Sequence, residues 1–311
     1  MFKNAIVYRI APTWSARFED VADRLEAHRF VECGASQPQA IGWVEPRGTA
    51  HGPLVESVGG QWFFKLMIES KVLPASVVKR KTEEIAQRIE AETGRKPGKK
   101  QTREIKDGAV LELLPMAFTK RAAVPVWIDP EQRLLLVDAG SQGKADEVVT
   151  VLVKALDGLA VTLLQTQTSA ATAMSEWLTS REAPAGFSVD RECELKSSDE
   201  LKSVVRYSRH TLDIDEVRDH IVAGKLPTKL ALTWGGRVSF LLTDTMQVKK
   251  ISFLDVVFEG NRAGTADDGF DADAAIATGE LRRLIPDLLD ALGGELAALG
   301  DSAPAPLPAA A

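Results

Sequence analysis

The 311-residue sequence contains little cysteine and no long hydrophobic run. Cys33 and Cys193 lie far apart, which excludes a disulfide framework and the paired spacing of a zinc site. No segment approaches the roughly 20 apolar residues of a membrane helix. The apolar stretch in the N-terminal sequence MFKNAIVYRI is too short for a signal peptide. We therefore expect a cytoplasmic protein that makes no contact with a membrane.

Catalytic motifs are equally scarce. The segment from Gly140 to Lys144 resembles a phosphate-binding loop, but it is one residue short and lacks the following Ser or Thr. One cluster of carboxylates comprises Asp267, Asp268, Asp271 and Asp273. Such a cluster binds a divalent metal in nucleases, but an acidic helix N-terminus favoured by the helix dipole is the better explanation. We expect no enzyme, metal or cofactor, with a metal-dependent DNA-processing enzyme as the alternative.

Positive charge is concentrated in one short run, although the net charge of the whole chain is -6. Between residues 95 and 106 a single acid, Glu104, accompanies six cations: Arg95, Lys96, Lys99, Lys100, Arg103 and Lys106. Cations at this density neutralise phosphates and release counterions, so they favour binding of double-stranded DNA without sequence preference. Two other interpretations remain open, namely a solvated helix face and a scaffold that binds an acidic protein.

An apolar segment follows the basic run and ends beside two further cations. It comprises Leu111, Leu113, Leu114, Pro115, Met116, Ala117 and Phe118, and it is followed by Thr119, Lys120 and Arg121. An aromatic ring beside cations is typical of nucleic-acid-binding surfaces, because rings stack on bases while cations meet phosphates. The alternative for Phe118 is a core residue at the start of a strand.

The pattern of strands and helices predicts an α+β fold with two antiparallel-sheet regions, flanking helices and a protruding helical hairpin. We expect a central body at residues 1–73 and 115–160, the hairpin at 74–114, a C-terminal base region at 161–301 and a disordered tail at 302–311. Gly59 and Gly60 predict the turn of a β-hairpin. A strand is predicted from Val124 to Asp129, and a last helix from about Ala274 to Leu292, interrupted by Pro286.

Seven segments together resemble the RdgC family of bacterial recombination-associated DNA-binding proteins. They are FKNAIVYRI at Phe2, IGWVEP at Ile41, KVLPASVVK at Lys71, ELLPMAFTK at Glu112, VWID at Val126, TKLALTW at Thr228 and FDADAAIATGELRRLI at Phe270. The segments occur in the order and spacing expected of the family, and the match covers most of the chain. None is a diagnostic motif by itself, so the resemblance rests on their collinearity.

The resemblance implies a two-fold homodimer whose crescent-shaped subunits close into a ring around double-stranded DNA. It further implies a nucleoid-associated protein that binds DNA with little sequence preference and restrains strand exchange promoted by RecA. Whether RecA is contacted directly does not follow from the resemblance. A closed ring holds DNA topologically, so only cations that face phosphates are needed and base-edge contacts are not.

The resemblance also carries over to individual positions. Phe118 falls where the family has a protruding aromatic residue near the hole of the ring, and Arg209 with His210 falls at a cationic loop that faces DNA. Met116 stands where some relatives have an arginine. The predicted DNA-binding residues are therefore Lys96, Lys99, Lys100, Arg103, Phe118, Lys120, Arg121, Arg209 and His210. For Arg209 and His210 the alternative is an ordinary turn before a helix.

Overall fold

The computed structural model describes residues 2–199, 202–259 and 268–296. These residues form seven α-helices and two antiparallel sheets, which confirms the predicted α+β class. The strands are β1 (Ile6–Ile10), β2 (Gln39–Val44), β3 (Val55–Val58), β4 (Gln61–Val72), β5 (Phe118–Asp129), β6 (Leu134–Val137), β7 (Val161–Leu163), β8 (Phe187–Ser197), β9 (Val204–Ser208), β10 (Lys225–Trp234), β11 (Val238–Thr243) and β12 (Val248–Phe253). The helices are α1 (Phe18–Glu26), α2 (Ala75–Thr93), α3 (Lys99–Leu113), α4 (Gln142–Ala155), α5 (Ala170–Ser180), α6 (Asp215–Val222) and α7 (Asp268–Ala291). The predicted tail at residues 302–311 lies outside the described residues.

The strands follow a simple order in each sheet. Strands β1 to β7 are arranged as β2-β4-β5-β6-β1-β7, with β3 paired to β4, and strands β8 to β12 are arranged as β12-β11-β10-β8-β9. The chain divides into two compact units. The larger unit consists of Met1–Phe18, Glu56–Phe63 and Pro125–Ala311, and the smaller unit consists of Glu19–Val55 and Phe64–Val124. No helix in the described part of the chain has the length and apolar content of a membrane span.

The core of the larger unit lies against the inner face of the second sheet. Leu230 and Leu232 of β10 are fully buried, as is Leu281 of α7, and Trp177 of α5 joins the same cluster. Trp127 is fully buried as well, and its Nε1 donates to Oε1 of Gln61 over 2.8 Å, so its polar atom is satisfied.

Helix α7 differs from the helix predicted for this segment. It begins at Asp268, six residues before Ala274, and it continues through Pro286 without interruption. A proline has no N–H, so it leaves the carbonyl four residues earlier without its helical donor. That carbonyl belongs to Arg282, and Nε2 of Gln132 donates to it over 3.2 Å. A side chain thus replaces the missing backbone donor, which explains why the predicted interruption is wrong.

The smaller unit is built on the pairing of β2 with β4, whose register runs from Gln39 opposite Ser70 to Val44 opposite Lys65. Residues 28–30 lie beside β2, where the Phe30 N–H donates to the carbonyl of Trp43 over 2.9 Å. Gly42 is required here, because an added Cβ would lie 2.4 Å from Cα of Phe30. Trp43 itself is fully buried.

Helices α2 and α3 form the predicted helical hairpin within the smaller unit. Gly94 ends α2 in the left-handed conformation at φ 72°, which a residue without Cβ adopts at no steric cost. Gly98 then caps α3. The two helices bury narrow faces that include Val78 and Ile105, and most of their remaining surface is exposed or partly exposed. The five-residue connection from residue 94 to residue 98, together with the beginning of α3 up to Lys106, is called the tip of this hairpin.

Strand β5 begins six residues before the predicted start at Val124. All residues from Phe118 to Ala123 are exposed, whereas most of the remaining residues up to Asp129 are buried. The first half of the strand therefore lacks the alternation of buried and exposed side chains that marks a half-buried strand in a sequence. The turn predicted at Gly59 and Gly60 is confirmed, since both have positive φ angles, 57° and 79°, between β3 and β4.

Candidate nucleic-acid interface

The tip of the α2–α3 hairpin exposes cations that pair with no carboxylate among the described residues. The side chains of Arg95, Lys96, Lys99, Lys100, Arg103 and Lys106 are all exposed, and no acidic residue within the described ranges forms an ion pair with any of them. Lys99 and Lys100 occupy the first turn of α3, which contains no acidic residue. The helix dipole disfavours cations there by about 0.3–1 kcal/mol each. A polyanion at the tip would relieve that repulsion.

The cations nearer the base of the hairpin behave differently. Lys79 lies 3.7 Å from Glu83, and Arg80 lies 3.9 Å from Glu84, both across one turn of α2. Lys81 reaches Glu112 on α3 over 2.8 Å, and this contact holds the pKa of Glu112 below its ordinary value. The positive charge of the hairpin is therefore compensated at its base and uncompensated at its tip.

Large apolar side chains are exposed at the end of α3 and in the segment that follows it. Leu111 is 61% exposed, Met116 is 74% exposed and Phe118 is 87% exposed. The alternative of a core position for Phe118 is therefore wrong, because its ring is almost fully accessible to a ligand. Helix α3 rises about 1.5 Å per residue, so its 15 residues separate Lys99 from this apolar segment by roughly 20 Å.

Lys120 and Arg121 follow Phe118 on β5, and they differ in their ion-pair partners. Lys120 is exposed, and no described carboxylate pairs with it. Arg121 donates through Nε to Oε1 of Glu69 over 2.8 Å, and its Nη2 pairs with Glu32. Its guanidinium also lies 5.7 Å from the centre of the Phe30 ring. The structure therefore places Arg121 in an internal ion-pair network.

Glu69 is the buried member of that network, with only 2% of its surface exposed. The N–H of Cys33 donates to its Oε2 over 2.6 Å. This hydrogen bond, together with the one from Arg121, lowers the pKa of Glu69 from 4.5 to about 2. A carboxylate that accepts hydrogen bonds in its charged form is stabilised in that form. No local sequence pattern indicates this network, because its partners lie 36 and 52 residues apart.

Arg209 and His210 lie in the larger unit, on the turn that follows β9. Arg209 has a positive φ of 56°, and its side chain is exposed without a carboxylate partner in the described residues. The His210 N–H donates to the carbonyl of Arg191 over 3.2 Å, and its Nδ1 lies 2.7 Å from the carbonyl of Thr211. The turn is thus tied to β8 through His210, while Arg209 points a cation into solvent.

The carboxylate cluster of the alternative enzymatic interpretation is only partly described. Asp267 lies outside the described residues, and α7 begins at Asp268. Asp271 and Asp273 both take part in interactions. Within the residues that the structure describes, no three His, Cys, Asp or Glu side chains converge as a metal site would require.

Comparisons with known proteins identify close relatives of the whole chain. A family model described as "Putative exonuclease, RdgC" matches residues 1–295. Three proteins named "Recombination-associated protein RdgC", from Dechloromonas aromatica, Janthinobacterium sp. and Cupriavidus necator, are 45%, 43% and 46% identical to this chain. These alignments cover 95%, 95% and 94% of the chain and 98% of each relative.

Proposed function

Because the chain belongs to the RdgC family of recombination-associated proteins, we propose that it binds double-stranded DNA without sequence preference. The observation that carries this proposal is the contrast within the α2–α3 hairpin. Cations at its base, such as Lys81, are paired with acids, whereas the six cations between residues 95 and 106 pair with no acid that the structure describes. Unpaired cations on an exposed tip bind phosphates and release counterions from DNA.

The types of side chain at the candidate interface support binding without sequence selectivity. Lys96, Lys99 and Lys100 are flexible point charges that meet phosphates rather than base edges. Phe118 adds an exposed ring, and stacking of a base on a ring is tolerant of sequence because every base has a π-face. Lys120 lies two residues further along the same strand. Ring and cation thus lie close together on β5.

We further propose that two copies form a ring-shaped homodimer that encircles DNA, with the hairpin tip as one contact between them. Family membership supports this proposal. The exposed apolar segment with Leu111 and Met116, at the other end of α3 from the tip, offers a further surface for a partner. A ring on DNA obstructs access of a recombinase to the duplex. This obstruction accounts for restraint of RecA-promoted strand exchange in the cytoplasm, at the nucleoid, whether or not RecA is contacted directly.

We propose that this protein is not an enzyme, although the family description contains the words "Putative exonuclease". The three relatives are named for their association with recombination. The enzymatic alternative assigns a divalent metal to the cluster from Asp267 to Asp273. Cleavage of DNA in the presence of magnesium distinguishes the metal-dependent enzyme from a protein that only binds DNA.

Binding to linear and to covalently closed circular duplex across a salt series tests the proposal, with light scattering for mass and magnesium present throughout. We expect a dimer that stays on closed circles at salt concentrations that strip it from linear DNA, and DNA that remains intact. Equal salt sensitivity on both substrates would overturn encirclement and leave surface binding. Nicked or degraded DNA, lost on Asp271→Asn together with Asp273→Asn, would establish the enzyme instead.

A second assay addresses recombination. RecA-promoted strand exchange is followed with the wild-type protein and with a variant in which Lys99, Lys100 and Arg103 are replaced by Gln. We expect inhibition by the wild type and weaker inhibition by the variant at equal dimer concentration. Equal inhibition by both would show that restraint does not depend on the tip cations.

A further inference from the structure

A cavity of about 340 Å³ lies in the larger unit, between the C-terminal end of α5, the first half of β8 and the segment at residues 211–213. Its apolar lining includes Trp177, Leu178 and Phe187, and charged side chains stand at its rim. The volume falls within the range of roughly 300–1,000 Å³ that is usual for ligand sites. None of the residues assigned to DNA binding above lines this cavity.

One wall of the cavity is the first half of β8, whose outer edge pairs with no strand in the described part of the chain. Strand β8 extends from Phe187 to Ser197, but β9 pairs only with residues 192–196. Residues 187–191, which line the cavity, have β10 on one side, and no strand in the described chain pairs with their other side. Backbone hydrogen bonds occupy one polar group at each end of this open stretch. The Phe187 N–H donates to the carbonyl of Pro184, and the Arg191 carbonyl accepts from His210.

The backbone is irregular within the same stretch. The register of β8 with β10 passes directly from Cys193 opposite Leu230 to Val189 opposite Leu232. Four steps along β8 thus correspond to two steps along β10, and residues 190–192 have no Cα partner in that register. Bulges of this kind are frequent beside functional sites, where they redirect side chains. Here the bulge lies where Asp190 and Arg191 line the cavity.

The charges at the rim are compensated at one end of the cavity and not at the other. Arg181 pairs with Asp213 over 2.9 Å and with Asp215 over 2.6 Å. Arg191 is exposed, and no described carboxylate forms an ion pair with it. A ligand therefore meets a free guanidinium beside the open strand edge. An isolated guanidinium binds a carboxylate through two parallel hydrogen bonds.

We propose that this cavity is a docking groove for an extended segment of another protein that carries one acidic side chain and adds a strand to the open edge of β8. The backbone of the segment pairs along Val189–Arg191, one apolar side chain enters the cavity against Trp177, and a carboxylate meets Arg191. Strand addition takes its affinity from main-chain hydrogen bonds and its specificity from alternate side chains. This inference goes beyond the proposed DNA binding and does not depend on it.

The composition of the lining favours a peptide over nucleic acid. Asp190 and Asp213 place two carboxylates at the cavity, and they repel the phosphates of a nucleic-acid strand. A peptide backbone carries no charge, so the same carboxylates cost little for a segment whose single acidic side chain lies against Arg191. The apolar surface of Trp177 and Leu178 matches a single aliphatic or aromatic side chain rather than a row of bases.

The test uses the full-length protein and a fluorescein-labelled peptide of the sequence Thr-Val-Thr-Leu-Asp-Phe with an amidated C-terminus. We expect binding by fluorescence anisotropy, and slower amide hydrogen exchange at residues 188–191 in the bound state. A peptide in which Asn replaces the Asp should bind at least about tenfold more weakly, as expected from loss of a charged hydrogen bond. Absence of binding up to millimolar peptide, or binding without protection of residues 188–191, overturns the proposal.

Two variants locate the bound peptide, and a third serves as their control. Arg191→Glu should weaken binding roughly tenfold or more, and Ala183→Trp, which fills the cavity from an exposed lining position, should abolish it. Arg218→Glu changes the same charge on the exposed surface of α6 and should leave binding unchanged. Thermal melting of each variant verifies its fold. Equal effects of Arg191→Glu and Arg218→Glu would contradict the assigned site.

Other occupants give different results in the same experiments. A short single-stranded oligothymidylate is tested in the same way. Binding that protects residues 188–191 and is lost in the Ala183→Trp variant would show a nucleic-acid site and overturn the peptide proposal. A lower mass by light scattering for Ala183→Trp without peptide would show that a second copy of this chain fills the groove, which also overturns it.

Discussion

Oε1 of Glu69 lies 2.8 Å from Nε of Arg121, and this contact joins the buried part of β4 to the exposed beginning of β5. Glu69 is 2% exposed, whereas residues 118–123 are exposed throughout. Because the side chains of that half of β5 are exposed, the ion pair with a buried carboxylate adds a side-chain link to the pairing of β5 with β4. Phe118 and Lys120, two residues proposed to meet DNA, are carried on the same stretch of strand.

Replacement of Glu69 by Gln should change the dependence of stability on pH. The folded-state pKa of Glu69 is about 2, below its ordinary value of 4.5, so its charged form stabilises the fold above about pH 4.5. This contribution is lost as the pH falls through 4.5 towards 2. Thermal melting should therefore show a less stable variant at neutral pH and a difference that closes below pH 4.5. Glu84→Gln, at an exposed and loosely paired site, should show no such trend.

Phe118→Ala should weaken DNA binding without lowering the melting temperature. The ring is 87% exposed, so its removal leaves no cavity, while loss of a stacking contact costs about 1–3 kcal/mol in binding. Met116→Ala is the matched control, because Met116 is also largely exposed but offers no ring. Titration with a labelled duplex distinguishes them, and an equal loss in both variants would remove the role of stacking.

Neutralising the tip should reduce the salt dependence of DNA binding. If Lys99, Lys100 and Arg103 meet phosphates, their joint replacement by Gln lowers the slope of log affinity against log salt by up to about three. Replacing Lys79, Arg80 and Lys81 changes the charge equally, but these cations are already paired with acids. The second variant should keep nearly the full slope. Similar slopes for both variants would show that the net charge of the protein, rather than the position of these cations, determines the salt dependence of binding.

Two substitutions of Arg209 distinguish the effect of its charge on DNA binding from the effect of its backbone conformation. Its φ of 56° lies in the left-handed region, where a residue with Cβ costs roughly 1–2 kcal/mol relative to glycine. Arg209→Gly and Arg209→Ala both remove the guanidinium and should weaken DNA binding equally, while the Gly variant unfolds at a higher temperature. A loss of affinity confined to the Ala variant would trace the effect to the shape of the turn.

Gln132 and Pro286 should be energetically coupled. Gln132→Ala leaves the Arg282 carbonyl without a donor, at a cost of about 1–3 kcal/mol. In a Pro286→Ala background the restored N–H supplies that bond within α7, so the same substitution should cost clearly less. A double-mutant cycle by urea unfolding measures this coupling. Additive costs would mean that the 3.2 Å contact contributes nothing to stability.

The sequence predicted the elements whose signals are local. Gly94 and Gly98 mark the ends of the hairpin helices, and Gly59 and Gly60 mark the turn between β3 and β4, because these positions require backbone conformations or breaks that glycine provides. The basic character of the tip is likewise readable, since it depends only on residues within one short segment.

The parts that could not be predicted depend on partners distant in sequence. Arg121 was a candidate for a phosphate contact because its neighbours on the chain are a cation and an aromatic residue, but its partners Glu32 and Glu69 lie far upstream. Pro286 indicated a break in α7 because a side chain from residue 132 cannot be anticipated there. The open edge of β8 depends on where β9 stops, which no local pattern reveals.

The uncompensated tip has a consequence for assembly. Residues 95–106 carry a net charge of +5, so subtraction from the total of -6 leaves -11 on the rest of the chain. If two tips meet, they bring like charges together, and a polyanion between them screens that repulsion. By thermodynamic linkage, DNA that strengthens the contact is itself held more tightly by the same factor. DNA would thus stabilise the closed dimer that surrounds it, and sedimentation of the dimer with and without heparin would reveal this coupling.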